Sequence, residues 1–343
     1  MPARRTSTGV GLIGAGRIGT SHAQILAERV PGAHLVAVAD PRPDAAAALA
    51  GRLGAHPTAD PLALIADDAV EAVVIAAASE AHPGLITAAA AAGKPVFCEK
   101  PAGLTLPELD GALAAVAAAG VPLQVGFNRR FAPAFRAAHD AVVAGAVGTP
   151  QLMRSLTRDP GLANPAAVPP WTIFRQTLIH DFDTLLWLNP GAEPVEVYAT
   201  AGALVAPEFA AAGLLDTAVV VITFDNGARA VAEASFSAAY GYDVRAEVFG
   251  SAGMVTAGDG ARSSMVLRDA AGAHQDTARS DVELLGGSYV AEFVEFVAAV
   301  QEGREPYVGG RDARRALAVA LACADSVTAH APVPVDTTAA VQP

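Results

Sequence analysis

Val10-Gly-Leu-Ile-Gly14-Ala-Gly16-Arg17-Ile18-Gly19 decides the fold. A β-branched run ends at Ile13, glycines follow in the spacing Gly-x-Gly-x-x-Gly, and a helical pattern begins at once. In that order Gly14 permits a tight turn, Gly16 lets the backbone approach a pyrophosphate, and Gly19 lets the helix pack closely on the strand, with Arg17 and Ile18 completing the loop. The glycines alone are a weak signal. Asp40, 21 residues after Gly19 at the end of the next apolar run, supplies a carboxylate for the 2′-hydroxyl of an adenosine ribose. Strand, glycines, helix and acid together predict a dinucleotide site. The charge of Asp40 repels a 2′-phosphate, so NAD is expected. Arg42, two residues on, could meet such a phosphate and makes NADP the alternative.

The same rhythm continues outward from the loop. Val10 to Ile13, Leu35 to Ala39, Val73 to Ala77, Val96 to Cys98 and Leu123 to Phe127 read as strands. Gly14 to Arg29, Pro43 to Leu53, Pro61 to Ala66, His82 to Ala92 and Pro107 to Ala119 read as helices or helical turns between them. This order predicts an α/β chain whose first domain, residues 1–127, is a Rossmann-type doubly wound parallel sheet. After Phe127 the pattern changes to a helix from Pro133 to Ala144, a strand from Pro150 to Thr157, a Pro-rich loop from Pro160 to Pro170 and a helix through Leu188. Mostly strands follow. Asp225-Asn226-Gly227 between Thr217 to Phe224 and Ala228 to Phe236 signals a hairpin, because Asn-Gly tolerates positive φ. Asp243 to Phe249 is another strand candidate. Two helices close the chain, Tyr289 to Glu302 and Asp312 to Ala329, the second expected to pack back on the first domain. Residues 128–343 form the second domain.

Composition excludes several classes. The formal charge is −12, with 23 basic against 35 acidic residues, and no basic cluster invites nucleic acid or an anionic membrane. Mean hydropathy is positive. The longest uncharged stretch, which lies between Asp110 and Arg129, is interrupted by Gly111, Gly120, Pro122, Gln124 and Gly126, so no membrane span is expected. Arg4-Arg5 lacks the apolar segment of a twin-arginine export signal. Cys98 and Cys323 have no partner spacing and imply neither a disulfide framework nor zinc. A reducing cytoplasm is the expected location.

Cys98-Glu99-Lys100-Pro101, Val125-Gly-Phe-Asn-Arg-Arg130 and Thr177-Leu-Ile-His180-Asp-Phe-Asp183, read with the glycine loop, resemble the Gfo/Idh/MocA oxidoreductase family and within it the inositol 2-dehydrogenases. The likeness runs in order over most of the chain. It implies a second α/β domain built on a large, open, mostly antiparallel sheet, whose surface mediates dimer or tetramer contacts, and a substrate held over the nicotinamide between the domains. It implies that Lys100 contacts cofactor and substrate, that His180 is the acid/base, and that Glu99, Ser79 and His82 lie by the cofactor. Asn128, Arg129 and Tyr240 match pocket-lining positions. The expected activity is NAD-dependent oxidation of a secondary alcohol of a cyclic polyol or sugar, myo-inositol first. Those residue types suit the chemistry: a His can take a hydroxyl proton near neutrality and a Lys can stabilise a developing alkoxide.

His22, His34, His56, His139, His274 and His330 have no comparable context and read as structural. Asp181 and Asp183 flank His180, but further ligands are not apparent in the sequence and no metal is expected. Two departures from the inositol enzymes fall at the substrate site. Gln176 stands where those enzymes carry an Asp four residues before the His, so an imidazolium loses a negative partner. Pro170-Trp171-Thr172 replaces their Ser-Gly-Gly, and Trp171 offers a face on which a sugar ring could stack. Both alternatives to the leading reading arise here: a keto-sugar or other carbonyl reductase, or an NAD-binding sensor without turnover.

Overall fold

Thr8–Ile13 (β1) is buried along its whole length, as befits a strand covered on both faces. In the computed structural model, which describes residues 7–162, 164, 168–205 and 207–338, β1 is central in a six-stranded parallel sheet. Its partners are Ala33–Ala39 (β2), His56–Thr58 (β3), Ala72–Ile75 (β4), Val96–Cys98 (β5) and Leu123–Val125 (β6), in the order β3-β2-β1-β4-β5-β6. Arg4-Arg5 and residues 163 and 165–167 of the Pro-rich loop lie outside the described residues. Arg17–Glu28 (α1), Pro43–Leu53 (α2), Pro61–Ala66 (α3), His82–Ala91 (α4) and Leu106–Ala119 (α5) lie between the strands in sequence. Their ends follow local chemistry. Asp60 accepts the Leu62 N–H at 2.8 Å before a Pro at the first helical position, and Gly120 closes α5 with φ +63°. The periodicity misses β3, a three-residue edge strand holding Pro57, whose lack of an N–H is tolerated at an edge.

The second sheet has seven strands: Pro150–Arg158 (β7), Pro194–Gly202 (β8), Thr217–Phe224 (β9), Arg229–Ser235 (β10), Asp243–Gly250 (β11), Met254–Ala257 (β12) and, after a separate exposed hairpin of Ala261–Asp269 (β13) and Gly272–Thr277 (β14), Val333–Pro334 (β15). Their order is β12-β11-β7-β10-β9-β8-β15, antiparallel throughout except for β7 beside β10. Pro133–Val143 (α6), Ile179–Trp187 (α7), Pro207–Ala211 (α8), Asp281–Glu302 (α9) and Gly310–Ala329 (α10) complete the chain, and α7 lies on β7 and β10. Along β9 Ala218, Val220, Ile222 and Phe224 are buried while Val219 and Val221 are exposed, the alternation of a sheet covered on one face. The β9–β10 turn falls at Asp225-Asn226-Gly227. There only Gly227 has a positive φ, +86°, whereas Asn226 uses its Oδ1 to accept the Ala228 N–H.

Two compact units emerge, residues 7–128 with 287–314, and 129–286 with 315–338. The C-terminal segment that joins the parallel sheet is thus most of α9 and the start of α10, rather than the body of the last helix. Its side chains explain this. Phe293 and Phe296 bring their rings within 4.6 and 5.9 Å of Phe97 on β5, and Gln124 on β6 donates to the Glu292 carbonyl at 2.8 Å.

Candidate active site

The glycine loop has the space and the conformation its residue types promise. Gly14 has φ +107°, and a Cβ there would lie 2.3 Å from the Ala76 carbonyl oxygen. A Cβ on Gly19 would lie 2.0 Å from the Gly14 oxygen, whereas one on Gly16 would meet nothing within 4 Å. Gly16 caps α1 with no side chain of its own, Arg17 is exposed and Ile18 half-buried. An open approach to backbone N–H groups at a helix start is what a pyrophosphate needs, so these residues fit the cofactor.

Asp40 follows β2 with its carboxylate tied to this loop. Oδ2 accepts the Ala15 N–H at 2.8 Å, and Oδ1 accepts from the Arg42 N–H at 2.9 Å and its Nε at 3.1 Å. Burial opposes its charge, but the hydrogen bonds from Arg42 and Ala15 outweigh it and hold the carboxyl below the usual range. It therefore stays ionised, as a ribose acceptor must. Arg42, expected as a possible phosphate contact, is paired with Asp40.

Lys100 follows β5 half-exposed, on a cis peptide to Pro101. Glu99 and His82, expected to lie by the cofactor, are buried and hydrogen-bonded within this segment. Glu99 is 7% exposed; it accepts from His22 Nε2 at 2.6 Å and from the Lys100 N–H at 3.1 Å. His82 is 1% exposed, with Nδ1 2.8 Å from the Pro101 oxygen and Nε2 3.1 Å from that of Ala77. Burial holds its imidazole below the ordinary value despite these carbonyls. A neutral ring can donate only once, and the shorter contact assigns that bond to Pro101. Spacing places both residues in the right loops, but cannot tell which way a side chain points. Ser79 opens the short helical turn Ser79–Ala81 after β4, half-buried. Asn128 is 3% exposed and its Oδ1 has no hydrogen-bond partner among the described residues.

In the second unit, two arginines and two aspartates fix the helix that carries His180. Arg129 donates to Asp181 at 2.8 Å and to Thr157 at 2.5 Å, while Ser155 and Thr157 each donate to Asp181 at 2.6 Å. Arg130 grips Asp183 through Nε at 2.9 Å and Nη2 at 2.6 Å, and its guanidinium lies 5.6 Å over the Trp187 ring. These pairs are buried, so each carboxylate orients an element rather than presenting a ligand atom. Arg129, matched by resemblance to a pocket-lining position, is 2% exposed with its Nη1 committed to Asp181, while its buried Nε has no hydrogen-bond partner among the described residues.

His180 lies in the first turn of α7, half-exposed, and its carbonyl accepts from Thr184 at 2.8 Å. The chain enters α7 through a π-helical segment, Ile173–Leu178, that contains Gln176. Such widened turns recur at functional sites. Trp171 precedes it with φ +63°; its carbonyl accepts from both Phe174 and Arg175 at 3.0 Å, and its ring stacks on Phe174. Tyr240 is 50% exposed and donates to Asp243 at 2.6 Å, and burial together with that carboxylate raises its phenol.

The sequence reading took His22 as structural without naming its partner, Glu99, and did not single out Glu292 beside it. His22 could have been found as the one polar residue on the buried face of α1, three positions after Gly19.

Comparison with known proteins follows the same division. Residues 8–127 match the family model described as "Oxidoreductase family, NAD-binding Rossmann fold", and residues 135–256 match the GFO/IDH/MocA C-terminal domain. The chain is 38% identical over 327 residues to the myo-inositol 2-dehydrogenase of Thermotoga maritima, across 93% of this chain and 96% of that one. It is 36% identical over 328 residues to the scyllo-inositol 2-dehydrogenase (NAD(+)) of Bacillus subtilis, across 95% of each. The structure of scyllo-inositol dehydrogenase from Lactobacillus casei with bound NAD(H) and scyllo-inositol matches at a TM-score of 0.92 and 26% identity, covering 96% of this chain and all of that one. On the glycine loop, the Glu99-Lys100-Pro101 turn and this end-to-end likeness, the chain belongs to the Gfo/Idh/MocA oxidoreductases and carries their NAD-binding Rossmann domain.

Proposed function

We propose that the protein is an NAD-dependent dehydrogenase that oxidises a secondary alcohol of a cyclic polyol, with myo- and scyllo-inositol as the leading substrates. The observation that carries this reading is the likeness, over more than nine-tenths of the chain, to enzymes named for those substrates. The glycine loop and Asp40 hold the dinucleotide, which when bound supplies the hydride acceptor. His180 takes the hydroxyl proton, and the Lys100 ammonium stabilises the negative charge that develops on the same oxygen. The hydroxyl carbon loses one hydride, the oxygen one proton, and a ketone results.

The test is NADH formation from NAD and a panel of inositols and sugars, with NADP in parallel. Lys100→Ala should lower kcat by roughly 10² to 10³, the scale of losing a group that stabilises an oxyanion, while circular dichroism stays unchanged. Turnover that survives Lys100→Ala would remove Lys100 from the mechanism.

Gln176 and Trp171 favour a second reading, a keto-sugar reductase or an NAD-binding sensor, because both depart from the inositol enzymes at the substrate side. NAD binding without turnover on the whole panel would select it.

The outer sheet face supports a homo-oligomer, a dimer or tetramer. Phe249 pairs with both Leu152 and Met254, and Val221 with Tyr198, across neighbouring strands, and all five are exposed apolar side chains, a patch that monomers seldom display. Light scattering should give two or four chains per particle, and Val221→Lys should lower that number. No described helix is long and apolar enough to cross a membrane.

A further inference from the structure

Three ionisable side chains that the mechanism above does not use meet inside the first unit: His22 from α1, Glu99 after β5 and Glu292 from α9. One ligand atom of each lies within 4.8 Å of the other two, and His22 and Glu292 are wholly buried. The imidazole is walled by the rings of Phe97, Tyr289 and Phe293. The two carboxyl groups are treated unequally. Glu99 accepts from His22 at 2.6 Å and, with its other oxygen, from the Lys100 N–H. Neither carboxyl oxygen of Glu292 has a hydrogen-bond partner among the described residues.

Two carboxylates this close and out of water, with one imidazole between them, cannot both remain charged, since repulsion and desolvation act in the same direction. Glu99 has the donors, so Glu99 keeps the charge. Burial first and the Glu99 charge second push the Glu292 carboxyl well above its ordinary value. The other titratable groups acting on Glu99 do not alter this assignment. Lys100 favours its charge, burial holds His82 towards its neutral form, and burial raises Cys98 and keeps it a thiol. Nor does the spacing suit an ion in place of the proton. A tetrahedral cation with bonds of about 2.0 to 2.1 Å would spread its ligand atoms to roughly 3.3 Å, whereas His22 and Glu99 stand at hydrogen-bond distance, 2.6 Å.

We propose that Glu292 is a neutral carboxylic acid at physiological pH, and that Glu292 and His22 are positioning residues that hold Glu99, as the carboxylate, beneath the segment carrying Lys100. This rests on the reading of Lys100 given above. A neutral acid with an oxygen within 4.8 Å of Glu99 has an O–H that can turn towards that charge, whereas a second carboxylate would drive Glu99 away and release the Lys100 N–H with it.

Infrared difference spectra of the NAD-loaded protein, wild type minus Glu292→Gln near neutral pH, test the charge state directly. The C=O stretch of a neutral carboxylic acid should appear in the wild type and be lost in the variant; a difference showing only an ionised carboxylate overturns the proposal. So does a divalent ion held one per chain by the purified protein. Kinetics test the positioning. Glu292→Leu should lower kcat about tenfold, the scale of one hydrogen bond to a charged group, with KM for NAD changed no more than about twofold. Glu292→Gln, neutral and still a donor, should recover most of that loss. Equal kcat in wild type and Glu292→Leu, or equal losses in the two variants, overturns the positioning role. Turnover unaffected by Lys100→Ala would instead refute the role of Lys100, and the infrared band would still decide the state of Glu292.

Discussion

Gly14 and Trp171 stand at the entrances to the two helices that matter most, α1 with the glycine loop and α7 with His180, and both have a left-handed φ, +107° and +63°. At Gly14 the residue type announces the conformation. A side chain would suffer twice there, from the backbone angle and from the Ala76 oxygen 2.3 Å away. At Trp171 a bulky residue adopts a conformation that costs on the order of 1 to 3 kcal/mol, and only its surroundings sustain it: two N–H groups on its carbonyl and Phe174 against its ring. The cofactor side thus uses residues that reveal the backbone. The entry to α7 stores a departure where the residue gives no sign of it.

Swapping residue types at these positions tests the contrast. Gly14→Ala should destabilise the protein by about 3 kcal/mol or more, because strain and overlap with backbone have no flexible neighbour to absorb them. Gly16→Ala should keep the fold, since nothing lies within 4 Å of its Cβ, yet weaken NAD binding about tenfold by filling the approach to the pyrophosphate. Thermal denaturation and calorimetric titration with NAD separate the two effects. If both variants lost stability equally, Gly16 would be serving the fold and not the cofactor.

Trp171→Gly is the converse change. Relief of about 1 to 3 kcal/mol of strain is opposed by roughly 0.5 to 1 kcal/mol of glycine chain entropy and a ring stack worth about 0.5 to 1.5 kcal/mol. Stability should therefore move by no more than about 2 kcal/mol in either direction, while kcat/KM for an inositol falls about tenfold if the indole face contacts the ring. A variant with unaltered kcat/KM would make Trp171 a packing residue.

The contrast also explains what could be read in advance. The β1-loop-α1 unit, Asp40 and the hairpin at Gly227 were legible because each depends on a local property: burial period, absence of a Cβ, or a charge at a strand end. The hydrogen-bond partners of Arg129, Glu99 and His82 were not. Each sits in the predicted loop, but its direction is set by partners 52, 77 and 19 positions away, Asp181, His22 and Pro101. Glu292 was invisible for the same reason, since a Glu in an amphipathic helix reads as surface until the fold buries it. The π-helical segment at Ile173–Leu178 leaves the apolar pattern of an ordinary helix intact, so periodicity passes over it.

Gln176, inside that segment, gives the smallest and most discriminating change. An Asp at this position would bring a negative charge towards His180 on the same entry to α7, and a nearby carboxylate favours the protonated imidazole. Oxidation needs the imidazole neutral before the proton is taken, so the acid limb of kcat/KM should move to higher pH in Gln176→Asp. Once the proton is on the ring, the same charge stabilises it, and kcat on myo-inositol should rise by up to about tenfold for each pH unit by which the limb moves. A displaced limb without a gain in kcat would mean that the charge reaches His180 but proton transfer does not limit turnover. No displacement at all would mean that the widened turn has taken position 176 away from the imidazole, and that the substrate side has been rebuilt at Trp171 rather than at Gln176.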